Sequence, residues 1–149
     1  MATYFRKVKG KTRIAWMPVV ASTCSTAVAG ALMAYSGGYI IPATNTTAPS
    51  AIAGVLLKSI AATDADYAVA RNVTVEVPVE KGVQWECAVS AGTLAATSVG
   101  AYFDLGTDDL GITVDQSATT YDVVKCTKYI SATKGWFELN ISTDGIAGK

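Results

Sequence analysis

Short segments in which apolar and polar residues alternate recur along this chain, and no long segment between them repeats with the period of an α-helix. In the clearest one, Val73–Glu80, every second residue is valine, and threonine, glutamate and proline stand between the valines. This period of two predicts a β-strand with one buried face, and Pro78 places it at a sheet edge or a bulge because proline has no N–H to donate. Val83–Val89 alternates in the same way after the turn residues Lys81 and Gly82, so we predict that the two segments form a β-hairpin.

Two more hairpins are predicted from segments rich in β-branched and aromatic residues. One joins Tyr121–Ile130 to Trp136–Ile141, and the other joins Ala31–Tyr35 to Tyr39–Ile41 across two glycines. The remaining predicted elements are a buried strand in Ala51–Ile60, a helical turn in Leu94–Val99, and short strands at Tyr102–Leu105 and Gly111–Val114. Many short strands separated by turn residues predict an all-β fold, a compact β-barrel or β-sandwich of about eight short, mainly antiparallel strands.

Charge is distributed unevenly, although the formal net charge is zero. Residues 1–15 contain no acidic residue and five basic ones, Arg6, Lys7, Lys9, Lys11 and Arg13. The rest of the chain has the other 7 basic residues and all 12 acidic ones, a net charge of −5. We therefore predict an extended basic N-terminal arm of residues 1–15 and a single β-rich domain of residues 16–149.

A basic arm can dock on an acidic protein surface or contact nucleic acid. The chain contains no recognisable nucleic-acid-binding motif, so nucleic acid is the minority interpretation. Only 16% of the residues are charged, compared with roughly 25% in an average soluble protein. Such a weakly charged surface is either rich in neutral polar side chains, chiefly threonine and serine, or partly covered by partners, and the second alternative fits a subunit of an assembly.

The side chains on which most enzymes depend are scarce in this chain. Histidine is absent, which removes the commonest general base and excludes Ser-His-Asp and Cys-His arrangements within one chain. The sequence also lacks a glycine-rich phosphate-binding loop and a G-x-S-x-G nucleophile motif. We therefore predict that the protein is not an enzyme and that it uses no cofactor and no small-molecule substrate.

Two groups of aspartates are candidates for chemical sites. They are Asp64 with Asp66, and Asp104 with Asp108 and Asp109. A glycosidase needs two acids that face one cleft, whereas aspartate is common in turns because its side chain bonds nearby backbone. We interpret both groups as turn residues. Neither matches the order of an EF-hand, and a structural ion is left open.

The three cysteines are Cys24, Cys87 and Cys126. Their number is odd, they lie far apart in the sequence and there is no histidine beside them, so no zinc pattern is present. We predict reduced cysteines that pack as small apolar residues, and no metal site formed by them.

The basic N-terminus precedes the apolar stretch Ile14–Val20, an arrangement loosely similar to a signal peptide. The polar residues Ser22–Thr26 separate this stretch from the next apolar one, Ala29–Ala34, and no segment reaches the roughly 18 apolar residues of a membrane span. We therefore predict a soluble protein that is made in the cytoplasm and has no membrane partner.

Aromatic residues in the second half of the chain are candidates for a platform on which bases or sugars stack. On strands such residues more often belong to the core or anchor a protein interface, and we favour that interpretation. The residues are Tyr102, Phe103, Tyr121, Tyr129, Trp136 and Phe137.

Several short motifs follow one another along the sequence. They are the basic opening Met1–Lys7, Gly38–Thr44 leading into Ala53–Val55, the Val-Pro-Val strand with Glu76 and Glu80, the pair Trp85 and Glu86, Gly92–Leu94, Val99–Leu105, and Ile130–Gly135 with Phe137. In this order they resemble the small head decoration, or capsid cement, proteins of tailed bacteriophages. The resemblance extends over most of the chain from residue 30 onward.

This resemblance implies a structural virion protein that binds the outer surface of an icosahedral capsid and stabilises contacts between major capsid protein subunits. It also implies a homo-oligomer, with a trimer favoured, that is made in the host cytoplasm and located on the capsid exterior. In such proteins an N-terminal arm often adds a strand to a capsid protein. The capsid-binding residues implied here are Thr3, Tyr4, Phe5, Arg6, Lys7, Val8, Lys9, Lys11 and Arg13.

Two alternatives belong to other classes of binding protein. Another virion component, such as a tail-tube or head-fibre subunit, is also expected to be rich in β-strands. A cell-surface adhesion or carbohydrate-binding module is expected to have a secretion signal and an exposed aromatic groove.

Overall fold

The computed structural model describes residues 4–140. The fold is all-β, which confirms the predicted class, and the described residues form eleven strands rather than about eight. The strands are β1 (Arg6–Lys9), β2 (Thr12–Val19), β3 (Leu32–Ser36), β4 (Tyr39–Pro42), β5 (Ile52–Leu56), β6 (Arg71–Pro78), β7 (Gln84–Ala91), β8 (Tyr102–Leu105), β9 (Thr113–Asp115), β10 (Val124–Ser131) and β11 (Lys134–Leu139).

Six strands form a sheet in the order β1-β7-β11-β10-β8-β9, and β7 also pairs with β9. That additional pairing closes β7, β11, β10, β8 and β9 into a small barrel, with β1 as an extra edge strand on β7. The β7–β9 pairing is parallel, and the other pairings among the described strands are antiparallel. Alternate residues of β7 point into the barrel, where Trp85 and Cys87 pack with Phe137, Leu105 and Val114.

The other five strands form a second sheet in the order β2-β6-β5-β3-β4. This sheet curls until its two edge strands, β2 and β4, approach each other. Met17, Met33, Ile40 and Val75 fill the space inside the curl, while Leu32, on the opposite face of β3 from Met33, joins the barrel core. The two sheets therefore share one continuous body.

Most of the predicted local elements are present. The hairpins β3–β4 and β10–β11 are confirmed, and all five residues of β5 are buried, as predicted for Ala51–Ile60. A 3₁₀ turn at Ala96–Ser98 matches the predicted helical turn, and β8 matches its prediction, whereas β9 begins two residues later than predicted. No helix within residues 4–140 is long and apolar enough to cross a membrane.

The predicted hairpin between Val73–Glu80 and Val83–Val89 is wrong. The first segment, β6, pairs with β2 and β5, whereas the second, β7, pairs with β1, β11 and β9. The alternation of valines correctly identified two strands and their buried faces, but residues 79–83, which connect the two strands, carry the chain from one sheet to the other. Alternation fixes which side chains are buried and does not fix the neighbouring strand.

The predicted extended arm is also wrong for the described residues. Its boundary at residue 15 falls inside β2, which pairs with β6 along its whole length. β1 pairs with β7 with Arg6 opposite Glu86, so unlike charges meet across the strands. β1 and β2 are therefore edge strands, one in each of the two sheets.

Candidate functional site

Two of the five basic residues near the N-terminus are neutralised within the molecule. The Nη2 atom of Arg6 lies 2.7 Å from Glu86 Oε1, and the Nζ atom of Lys7 lies 3.4 Å from Glu76 Oε2. The hydrogen bond from Arg6 holds the pKa of Glu86 below its ordinary value, although burial opposes that shift. Arg6 and Lys7 thus fasten β1 to both sheets.

The other three basic residues flank the turn between β1 and β2, and we call Lys9, Lys11 and Arg13 the basic turn. Their side chains are exposed, and none forms an ion pair with another of residues 4–140. Glu80 accepts a hydrogen bond from Lys11, but the donor is the backbone N–H of Lys11 and not its ammonium group. Gly10 makes the turn possible, because its φ is +101° and a Cβ there would lie 2.8 Å from the backbone of Val83.

The apolar residues that were predicted to bind the capsid are placed differently. Phe5 is 3% exposed, packs in the barrel core and donates its N–H to the carbonyl of Gly30 at 2.9 Å. Its side chain therefore belongs to the core, and a role of Phe5 in pairing with a capsid protein stays a prediction. Tyr4 and Val8 are half-buried, and Thr3 lies outside the described residues.

An exposed apolar pair on β2 was not predicted as a functional feature. Ile14 is 62% exposed and Trp16 is 69% exposed, while Met17 and Val19 on the other face of the strand are buried. The signal was present in the sequence, because Thr12–Val19 is apolar at successive positions and leaves the strand without a fully polar face. An exposed tryptophan of this kind commonly marks a binding surface.

Trp16 stands beside a cleft of about 480 Å³. The side chain of Arg71 lies at the cleft and is only 10% exposed; its Nη2 atom is 3.1 Å from Asp64 Oδ2 and its Nε atom is 3.4 Å from Asp66 Oδ1. The guanidinium also lies 5.9 Å from the centre of the Tyr67 ring. Asp64 accepts the N–H of Ala61, as a turn residue does, but it also fixes the arginine.

The second group of aspartates divides into two roles. Asp108 accepts the N–H of Leu110 at 2.7 Å and a hydrogen bond from Thr113, which confirms it as a turn residue. Asp104 is not a turn residue; it lies on β8, is 3% exposed and accepts three backbone N–H groups. Within residues 4–140 no three His, Cys, Asp or Glu side chains are grouped so that they could hold a metal ion.

The cysteines pack as the sequence predicts. Cys87 and Cys126 are buried in the barrel core and Cys24 is half-buried, and all three are free thiols. Burial raises the pKa of the Cys87 thiol well above its ordinary value and also raises the pKa of the Cys126 thiol. These two side chains therefore act as small apolar residues rather than as nucleophiles.

The predicted aromatic group does not behave as a unit. Phe103 and Phe137 belong to the barrel core, which confirms the core interpretation for these two residues. Trp136 is partly covered by Lys128, whose Nζ atom lies 4.3 Å from the ring centre. Tyr102 and Tyr129 remain exposed on their strands.

These features describe an all-β body that presents a basic turn and a separate cleft with an exposed tryptophan. No protein-family model, curated protein or solved structure matches this chain.

Proposed function

We propose that this protein is a non-catalytic structural component of a virus particle, which binds the outer surface of an icosahedral bacteriophage capsid and stabilises contacts between major capsid protein subunits. The single observation that carries the proposal is the basic turn, three exposed cations without internal ion partners among residues 4–140 on a rigid body. The sequence resemblance to decoration proteins supplies the identity of the partner.

The basic turn suits a protein partner with an acidic surface. Side chains that have no internal partner lose no stabilising contact when they pair with carboxylates of another protein, and such charges steer association. The turn is held in place by β1 on one sheet and β2 on the other, so little conformational freedom is lost on binding. Docking by side chains of the edge strands replaces the strand addition that a free arm would make.

Stabilisation of a shell follows from mass action. A protein that binds the assembled shell but not its dissociated subunits stabilises the shell by its own binding free energy. Repetition over many symmetric sites multiplies the effect, particularly if the protein is the trimer that the resemblance implies. Analytical ultracentrifugation of the purified protein tests the trimer directly.

The test of docking is co-sedimentation of the purified protein with expanded, undecorated capsids. Deleting residues 2–13 is unsuitable because it removes buried Phe5 and all of β1. Charge reversal of the basic turn, K9E/K11E/R13E, is expected to weaken capsid binding by roughly tenfold or more at low salt, since three attractive contacts become repulsive.

The control variant K58E/K125E/K128E makes the same change of net charge, from zero to −6, at lysines outside the basic turn. It is expected to bind as wild type does. Equal weakening by both variants would show that overall charge, and not the basic turn, governs binding. Failure of the wild-type protein to sediment with capsids would overturn the proposed function.

A further inference from the structure

The cleft beside Trp16 combines an exposed aromatic ring with polar groups on the same face of the sheet. In the β2–β6 register Trp16 lies opposite Thr74, and Pro18 lies opposite Asn72. Residues two apart on a strand share a face, so the indole, the Thr74 hydroxyl and the Asn72 amide are presented together. Trp16, Asn72 and Thr74 therefore lie on the outer face of the second sheet, where they border the cleft.

Several polar groups of the cleft are available to a ligand. The side chains of Lys58, Asn72 and Thr74 form no hydrogen bond with any other of residues 4–140. Asp66 is 60% exposed and touches Arg71 through only one carboxylate oxygen. Together these groups offer both donors and acceptors.

The charges of the cleft cancel. Lys58 and Arg71 are positive, Asp64 and Asp66 are negative, and Arg71 is already fixed between the two carboxylates. A balanced cleft does not attract an anion or a cation in preference to a neutral molecule. A wholly apolar ligand is also disfavoured, because it would cover these polar groups and leave them without hydrogen-bond partners.

We propose that this cleft binds a neutral saccharide. A sugar ring has one face of C–H groups that can lie on the indole of Trp16, and a rim of hydroxyls that can bond Asn72, Thr74 and Asp66. The volume of about 480 Å³ lies within the roughly 300–1,000 Å³ of small-ligand sites. This activity goes beyond the proposed capsid docking and uses none of the residues of the basic turn.

The test follows the indole N–H signals of the 15N-labelled protein by NMR while soluble neutral sugars are added at millimolar concentration. The probes are maltotriose, cellotriose, mannotriose and N,N′,N″-triacetylchitotriose. The chain has three tryptophans, and the Trp16 signal is assigned as the one missing from Trp16→Phe. We expect at least one probe to shift that signal saturably, with a dissociation constant between the high micromolar and the millimolar range.

Variants locate the site and are expected to fold, because each replaces an exposed side chain. Trp16→Ala is expected to weaken saccharide binding by roughly tenfold or more, and Trp16→Phe is expected to retain part of the wild-type affinity. Binding by these two variants is followed through the backbone NMR signals of Asn72 and Thr74. Asp66→Asn is expected to weaken binding about threefold. Ile14→Ala, an exposed apolar change on the same strand and face, is the matched control and is expected to bind as wild type.

Three results would overturn the saccharide site: no shift of the Trp16 signal with any probe, undiminished binding by Trp16→Ala, or binding confined to a charged sugar such as 3′-sialyllactose. The two proposals fail separately. K9E/K11E/R13E is expected to keep saccharide binding while it loses capsid binding, and Trp16→Ala is expected to show the reverse.

Discussion

At the scale of single residues, Asp104 has a structural role that its place in an aspartate-rich segment does not indicate. Its carboxylate accepts the N–H groups of Thr120, Tyr121 and Asp122 at 3.1, 2.7 and 2.9 Å. These three residues form the bend that leads into β10, and Asp122 adopts a left-handed φ of +54°. One buried side chain therefore fixes the approach of the chain to the barrel.

Replacing this carboxylate is expected to cost a large part of the stability of a small domain. Asp104→Ala should lower the free energy of unfolding by about 3 kcal/mol, because three backbone N–H groups lose the carboxylate that accepts from them. Urea denaturation followed by circular dichroism measures the loss. Asp66→Asn, at an exposed aspartate, is the control and should cost no more than about 0.5 kcal/mol. A loss of less than about 1 kcal/mol for Asp104→Ala would show that water or other groups satisfy the bend equally well.

At the scale of elements, the pairing of β5 with β6 depends on a glycine in β5 that lies close to the backbone of β6. Gly54 has a φ of +149°, and a Cβ at this position would lie 2.6 Å from the carbonyl oxygen of Glu76 and 2.7 Å from Val75 Cγ1. Both contacts are shorter than real Cβ atoms make. The close pairing of β5 with β6 therefore requires the absence of a side chain.

Gly54→Ala is expected to lower the free energy of unfolding by about 3 kcal/mol, since the backbone of β6 must shift to admit the methyl group. Gly37→Ala is the matched control in the β3–β4 turn, where φ is +59° and a Cβ would have no neighbouring atom within 4 Å. Its cost should be about 1 kcal/mol, from the backbone conformation alone. Equal costs measured by thermal or urea unfolding would mean that β5 and β6 separate without penalty.

The sequence predicts the strands of this protein better than it predicts how they pair. Alternation in Val73–Glu80 and Val83–Val89 follows from burial of one face, which is a local property, so both strands and their buried faces could be predicted. Pairing of β6 with β2 and of β7 with β1 joins segments about 50 to 80 residues apart, and the local sequence pattern holds no information on it.

The candidate sites show the same division. Clustering of basic residues near the N-terminus was visible in the sequence, but which of them remain unpaired depends on Glu76 and Glu86, which only the fold brings near. The cleft was not predicted, because Trp16 and Arg71 come from strands that meet only after folding. An apolar residue on each face of β2 was the one local signal for it.

At the scale of the whole molecule, the two sheets are expected to unfold together. Leu32 and Val55 of the second sheet pack in the same cluster as Trp85 and Phe137 of the barrel. The N–H of Leu32 also donates to the carbonyl of Gly111, in the segment between β8 and β9, at 2.7 Å. A shared core of this kind favours a single cooperative transition, so one free energy of unfolding describes the molecule.

Charge also contributes to the cooperative unfolding of the two sheets, because the basic N-terminal strands lie on a body whose net charge is −5. Glu86 lies at the meeting point: Arg6 donates to it from β1, Trp136 donates from β11, and Lys134 Nζ lies 3.8 Å from its Oε1 atom. Ionised Glu86 thus joins the N-terminal edge strand to the barrel. Protonation removes its attraction for both cations.

The stability of the molecule is therefore expected to depend on pH through Glu86. The pKa of this group lies below its ordinary value of 4.5 in the folded protein, mainly because Arg6 donates to the carboxylate. Its contribution is fully present above the unfolded pKa and is lost as the pH falls through the lowered folded pKa. Glu86→Gln should cost about 0.5–1 kcal/mol at neutral pH, a modest value because Arg6 is 67% exposed to solvent.

Urea denaturation of wild type, Glu86→Gln, Arg6→Gln and the double variant, from about pH 7 to about pH 2, separates charge from other contacts. The wild type and Glu86→Gln should converge once the pH is below the lowered pKa, and added salt should narrow the difference at neutral pH. The double variant should be little less stable than Glu86→Gln alone, because Arg6 has then already lost its partner. If the difference in stability between wild type and Glu86→Gln stays constant with pH, the contribution of Glu86 comes from its hydrogen bond with Trp136. The edge strand β1 would then be held to the barrel by backbone pairing alone, without a contribution from charge.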